Sequence, residues 1–281
     1  MVKIKKAKPI GFCFGVKRAI NIAHKALENK TKIFSLGPII HNPLVVKQLS
    51  DKGMKVISDI SALKSGKILI RSHGVRPQIR EAILTKGIDI IDATCPFVER
   101  SHKIVDGLKK EGFLIIIVGE KKHPEVAALA EAAGEKTFVV IRPQQLRKIS
   151  LKGKRVGVLA QSTLTQSLFK EVVIEVLEKN PTELKVFDTI CKDVTKRQLE
   201  AIRLSQNTDL MLVIGGKISA NTKRLTQLCK SQKVKTYHLE SEREIDPNWF
   251  KNVKCVGIIS GSSTPKSAVD KVVAAIKTAK K

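Results

Sequence analysis

Cys13, Cys95 and Cys191 stand 82 and 96 residues apart, and each opens the same short pattern. "CFGVKR", "CPFVER" and "CKDVTK" all read Cys-x-x-Val-x-basic, and the second and third follow "DAT" and "DTI". Thiolates are soft ligands for zinc, copper(I) or iron–sulfur clusters. Zinc is the weaker option, because its structural sites draw on cysteine pairs close in sequence and no C-x-x-C occurs here. Three cysteines at one place in three repeats can instead hold three irons of a cubane cluster, leaving the fourth iron open. Such an iron binds substrate as a Lewis acid while the cluster supplies electrons, although most simple electron-transfer clusters use four cysteines. The plain alternative is that the thiols are small buried hydrophobes, which is the reading taken for Cys229 in a helical run and Cys255 opening a strand.

The second group with chemical potential lies in polar loops that follow apolar runs. These are "GPIIHNP" with His41, "RSHGV" with His73, "KKHPE" with His123 and Glu125, "QSTLT" with Ser162 and Thr163, "KISANT" with Ser219 and Asn221, and "GSSTP" with Ser263. Imidazoles, hydroxyls and an amide beside backbone N–H groups suit the many acceptor oxygens of a phosphate or diphosphate. Glu125 at a helix start either stabilises the helix dipole or donates protons, with His123 and the Ser162 and Thr163 hydroxyls as a short relay. Ser219, Asn221 and Ser263 can equally be helix caps, and His41 and His73 can brace their loops. His24, His102 and His238, in helical or extended stretches away from these loops, read as structural.

Elements of a definite kind must position these residues. "KIFSLG" (32–37), "KILIRSHG" (67–74), "FLIIIVGE" (113–120), "RVGVLAQS" (155–162), "LMLVIGG" (210–216) and "CVGIISG" (255–261) read as buried strands. Between them, "PLVVKQLSDKG", "PEVAALAEAAG" and "NTKRLTQLCKSQK" carry helical periodicity, and "MKVISD", "TFVVIRP" and "VKTYHLES" are extended. The alternation predicts an α/β fold with parallel sheets and helical crossovers. Ligands of such sheets bind beyond the carboxyl ends of the strands. The cysteine period divides the chain into three α/β units of about 90 residues: 14–95, 96–190, and 191–281 joined by 1–13.

Composition narrows the class. The 281 residues, 42% hydrophobic, can bury a substantial core, and no run reaches the about 18 apolar residues of a membrane helix. Neither an apolar core nor a cleavage site follows the basic start, so the reading is a cytoplasmic protein with reduced thiols; five scattered cysteines suit a disulfide scaffold poorly. The net charge of +26 calls for an anionic partner or for lysines solvating helix faces. Only 4% of residues are aromatic, so stacking platforms for nucleic acid are scarce and no nucleic-acid partner is expected.

Taken in order, "GFCFGVKRAI", "GPIIHNP", "SHGV", "DATCP", "HPEV", "QSTL", "TICKDVTKRQ", "GGKISANTKRL" and "GSSTP" resemble the 4-hydroxy-3-methylbut-2-enyl diphosphate reductase family over nearly the whole chain. The resemblance implies a trefoil of three pseudo-repeated α/β units around a central 4Fe–4S cluster held by Cys13, Cys95 and Cys191, with one open iron. It implies the two-electron reductive dehydroxylation that yields isopentenyl and dimethylallyl diphosphates, the last step of the non-mevalonate isoprenoid pathway. It places His41, His73, Ser219, Asn221 and Ser263 on the diphosphate with His123 close by, and makes Glu125 the proton donor. Ser162 falls where the family usually has threonine, in a Gln161-Ser162-Thr163 run, so the hydroxyl is kept while χ1 is freer. Ala220 replaces a common second serine, so that diphosphate contact must come from backbone or be missing. Asp193 and Val194 depart from the more usual Cys-x-Ala-Thr form, while Arg197 and Gln198 match it. Phe12 and Phe14 are expected to shield Cys13.

No second cysteine cluster or G-x-G-x-x-G is present, so electrons must come from a separate protein. An acidic flavodoxin or ferredoxin suits so basic a chain. The rival readings are a quinolinate synthase-like iron–sulfur dehydratase and a basic RNA-associated protein carrying a structural metal.

Overall fold

The computed structural model describes residues 2–28, 31–61 and 63–278. In chain order its elements are β1 (Lys3–Lys6), α1 (Phe14–Glu28), β2 (Ile33–Leu36), α2 (Pro43–Asp51), β3 (Lys55–Ile57), β4 (Lys67–Ile70), α3 (Pro77–Thr85) and β5 (Asp89–Asp92). There follow α4 (Pro96–Lys110), β6 (Leu114–Val118), α5 (Pro124–Ala133), β7 (Thr137–Val140), β8 (Arg155–Ala160), α6 (Gln166–Glu178) and β9 (Glu183–Phe187). The last third carries α7 (Lys192–Ser205), β10 (Leu210–Ile214), α8 (Ala220–Ser231), β11 (Lys235–Leu239), β12 (Cys255–Ser260) and α9 (Lys266–Thr278).

The strands form three four-stranded parallel sheets, β3-β2-β4-β5, β7-β6-β8-β9 and β11-β10-β12-β1. All three share one order if β1, paired parallel with β12 from Lys3↔Cys255 to Lys6↔Ile258, is taken as the fourth strand of the last sheet. The α/β class with small parallel sheets is therefore what the chain adopts. No helix among the described residues is long and apolar enough to cross a membrane.

The strand runs are apolar because both faces of each central strand are covered. In β6, Ile116 and Val118 join one buried cluster with Val156, Val158 and Phe169, while Ile115 and Ile117 join another with Val105, Val126 and Leu129. In β10, Leu210, Leu212 and Ile214 face one cluster, and Met211 and Val213 face the other. Alternation at period two thus sends successive residues into different cores.

Three strands were not foreseen, and they share a cause. β1 (KIKK), β5 (DIID) and β9 (ELKVF) are sheet edges with charged residues along them, so no continuous apolar run marks them. Each ends a few residues before a cysteine of the repeated pattern, and these edge strands deliver Cys13, Cys95 and Cys191.

The chain divides into two compact bodies, one made of Met1–Lys17, His41–Val46 and Lys192–Lys281, the other of Arg18–Ile40 and Lys47–Cys191. The first holds the β11-β10-β12-β1 sheet and the second holds the other two sheets.

Candidate active site

The three cysteines have one backbone setting in common. Each immediately precedes a helix: Cys13 before α1, Cys95 before α4 and Cys191 before α7. Each also donates its backbone N–H to a serine carbonyl two residues beyond the third strand of a sheet. Cys13 donates to Ser262 O (3.0 Å), Cys95 to Ser72 O (3.0 Å) and Cys191 to Ser162 O (2.9 Å). The repeated sequence pattern is therefore a repeated piece of backbone.

A helix start favours negative charge on sulfur, through its exposed N–H groups and the positive end of its dipole. The Cys13 Sγ accepts from Val16 N–H at 3.4 Å. Burial nonetheless pushes the Cys95 thiol above its ordinary range. None of the cysteines forms a disulfide. Cys229 is fully buried in the core beside Leu225 and Met211, as expected, whereas Cys255 at the start of β12 is only partly buried. Phe14 does not shield Cys13: as the first residue of α1 it turns outward and is 65% exposed.

In the body containing 47–191, α5 opens with His123, Pro124 and Glu125. His123 caps the helix, its Nδ1 accepting the Glu125 N–H at 3.3 Å, and Pro124 occupies the first turn, where no N–H is needed. This turns the Glu125 carboxyl inward until it is 0% exposed. Its Oε1 accepts the Ser162 N–H at 2.7 Å and its Oε2 lies 2.6 Å from Ser162 Oγ. Burial raises the Glu125 pKa, and the two Ser162 hydrogen bonds oppose that rise only in part. A carboxyl so placed keeps its proton to higher pH and can exchange it with a hydroxyl. His73 and His123 meet edge to face, with ring centroids 5.6 Å apart. Thr163 faces elsewhere: its Oγ1 accepts from Gln161 Nε2 at 2.7 Å, so the hydroxyl joined to Glu125 is that of Ser162.

In the body containing 192–281, Ser219 caps α8, its Oγ accepting the Thr222 N–H at 3.3 Å. Ala220 offers only backbone there. Asn221 is buried, with Nδ2 3.3 Å from Ser262 Oγ and with Oδ1 buried and unpartnered. Exchanging the amide's O and N lets Oδ1 accept from Ser262 and turns the NH2 toward the unpartnered side, where it can donate to an acceptor. Ser263 Oγ donates to His41 O at 3.3 Å, and Asn42 Nδ2 donates to Ser263 O at 2.9 Å. The His41 carbonyl comes so close to Gly216 that a Cβ at that glycine would lie 2.5 Å from it. His41, Ser219, Asn221 and Ser263 are thus held on adjoining loops of one body.

Sequence reasoning passed over Asn42, whose Oδ1 also accepts the N–H groups of Leu44 and Val45 at the start of α2. Asn followed by Pro before an apolar run is a helix-start signal that could have found it. His238 is closer to these loops than its extended setting suggested, with Nε2 2.8 Å from Gly215 O. His24 lies in α1, and His102 lies in α4, where it lines a cavity of about 370 Å³ with Arg18, Arg80 and Asp92.

An α/β chain with a buried carboxyl bonded to a hydroxyl, and with thiols outside disulfides at three helix starts, carries groups able to move protons and to bind a soft metal. The LytB protein family model matches residues 4–277, and the chain belongs to that family. It is 42% identical over 275 residues to 4-hydroxy-3-methylbut-2-enyl diphosphate reductase of Pelobacter propionicus, covering 98% of each chain. A solved structure of (E)-4-hydroxy-3-methyl-but-2-enyl diphosphate reductase, described as the terminal enzyme of the non-mevalonate pathway, is 41% identical. That match has a TM-score of 0.72 and covers 99% of this chain and 100% of the other. The corresponding reductase from Plasmodium falciparum, at 29% identity, matches with a TM-score of 0.93 over 97% of this chain and 87% of its own. Family membership implies an iron–sulfur enzyme. The thiols fit that group, being soft donors outside disulfides and set at helix starts.

Proposed function

We propose that the chain reduces (E)-4-hydroxy-3-methylbut-2-enyl diphosphate to isopentenyl and dimethylallyl diphosphates, the last step of the non-mevalonate isoprenoid pathway, as a cytoplasmic enzyme. The observation that carries the proposal is the buried Glu125 carboxyl bonded to Ser162, in a chain that matches reductases along its whole length. The balance is two electrons and two protons in, with one C–O bond broken, one C–H bond formed and water released. Cys13, Cys95 and Cys191 hold one 4Fe–4S cluster, which when bound supplies the electrons singly and offers an open Lewis-acidic iron.

The chain's own groups do the remainder. Ser219, Asn221 and Ser263, with His41, His73 and the Ala220 backbone, bind the diphosphate oxygens, and His123 stands beside His73. Glu125 holds a proton at Oε2, and Ser162 Oγ passes it to the departing hydroxyl. Thr163 keeps Gln161 in place. The three units 14–95, 96–190 and 191–281 with 1–13 are one repeat, with Cys95 closing the first unit and Cys191 and Cys13 opening and closing the third. An acidic flavodoxin or ferredoxin delivers the electrons, a role that the net charge of +26 supports.

The test is iron and acid-labile sulfide content of anaerobically purified protein, paramagnetic resonance with and without the hydroxylated diphosphate, and chromatography of the products. A near-stoichiometric cluster whose signal changes with substrate, together with both C5 diphosphates as products, is expected. A cluster indifferent to this substrate contradicts the reductase reading, and a chain that takes up no cluster on reconstitution contradicts the ligand assignment.

A further inference from the structure

We infer that Arg197 is a positioning residue for Cys13, an inference that rests on the ligand role proposed above for that thiol. Between β1 and α1 the chain runs from Ala7 to Cys13 without regular structure, and among the described residues no sheet or helix bond reaches the Pro9 and Gly11 carbonyls, whereas the Cys13 carbonyl already accepts Lys17 N–H at 2.9 Å. Arg197, on α7, is 0% exposed and supplies the missing donors. Its Nη2 donates to Gly11 O at 2.8 Å, and its Nη1 to Ser260 O at 2.9 Å and to Pro9 O at 3.4 Å. Its Nε donates to Asp193 Oδ2 at 2.7 Å, one turn earlier on the helix.

The segment is gripped from the other side by the end of β12. Gly11 N–H donates to Ser260 Oγ at 3.1 Å, and Cys13 N–H to Ser262 O at 3.0 Å. Gly11 itself is in the left-handed region at φ +88°, where most residues are strained, so local conformational preference does not fix the turn. One planar guanidinium, with its donors in a fixed fork, spans Pro9, Gly11 and Ser260 at once.

A fully buried guanidinium is costly, and one partly exposed carboxylate offsets only part of that cost. Packing alone would be served as well by an apolar side chain of similar volume. What an apolar side chain cannot do is hold two carbonyls of a glycine-bearing loop that ends in Cys13. Asp193, which departs from the family form, orients Nε and leaves the other guanidinium nitrogens directed at the loop.

The test needs no cluster. Site-resolved iodoacetamide alkylation of the metal-free protein compares Cys13 with Cys255, a partly buried thiol of the same body, in wild type, Arg197→Met and Arg197→Lys. Loss of the fork should speed Cys13 alkylation at least about tenfold in Arg197→Met, with Cys255 changed less than about twofold. Arg197→Lys keeps the charge opposite Asp193 but cannot span three carbonyls, and should raise the Cys13 rate at least about threefold; it carries the test if the Met variant does not fold. After reconstitution both variants should also show an altered paramagnetic signal and lower iron content. An unchanged Cys13 rate in a folded variant overturns the inference, as does equal acceleration of both cysteines, which marks a general support of the fold. Failure of wild type to take up iron would count against the ligand reading alone, because the alkylation comparison does not depend on it.

Discussion

α5 and α8 begin in the same way and do opposite electrostatic work. Each follows a central strand of its sheet, β6 or β10, each has a capping side chain (His123 or Ser219), and each buries the second residue of the helix. That residue is Glu125 in α5 and Asn221 in α8, 0% and 3% exposed. A carboxyl in that place, desolvated and bonded to a single hydroxyl, becomes a proton store. An amide there stays neutral at every pH and offers N–H donors, as an anion site must. A repeated scaffold buries the second residue of each helix, and the residue type alone decides whether a carboxyl or a neutral amide stands there.

The largest expected break in this comparison is at the acid. Glu125→Gln keeps the shape and the contact with Ser162 but carries no proton to give, so turnover should fall about 10²–10⁴-fold in anaerobic assays. Next is the reverse exchange, Asn221→Asp, which sets a negative charge against the proposed diphosphate. It should raise KM about 100-fold with a smaller change in kcat, whereas Asn221→Ala should raise KM about tenfold. A kcat effect larger than the KM effect would remove Asn221 from the anion site.

The third effect is on stability. The Glu125 pKa is raised in the folded chain, while in the unfolded chain the group ionises near 4.5. Above that value the unfolded state gives up a proton that the folded state keeps, so wild type loses stability relative to Glu125→Gln as pH rises toward the folded pKa. Denaturant melts at pH 5 and pH 8 should show the gap widening in favour of the variant; an unchanged gap would mean the carboxyl is already ionised when folded. The smallest effect is Ser162→Thr, which restores the form usual in the resembled family. Because the hydroxyl already meets Glu125, kcat should change by less than about threefold, through χ1 restriction alone.

Much of this was legible in the sequence. Central strands such as "LIIIV" declare themselves because both faces are covered, and Glu125 and the three cysteines are conspicuous by type and setting. What escaped detection depends on partners distant in the chain or on solvent. β1, β5 and β9 take their strand character from one neighbouring strand each, and their charged edges hide it. Phe14 was assigned to shielding by its type, yet it lies on the solvent side of α1. Thr163 and Ser162 are indistinguishable as adjacent hydroxyls until the backbone turn sends one to Gln161 and the other to Glu125. The Arg197 contacts join residues 9 to 11 with residues 197 and 260, and no local pattern announces them.

The most direct test of the central claim, that a buried protonated Glu125 serves reduction of a bound diphosphate, is a paired measurement on Glu125→Gln. Substrate binding is followed by calorimetry, and single-turnover product formation is measured with dithionite and a mediator. Binding within a few-fold of wild type and product formation reduced by about two orders of magnitude or more is the predicted result. Product formation at the wild-type rate would contradict it.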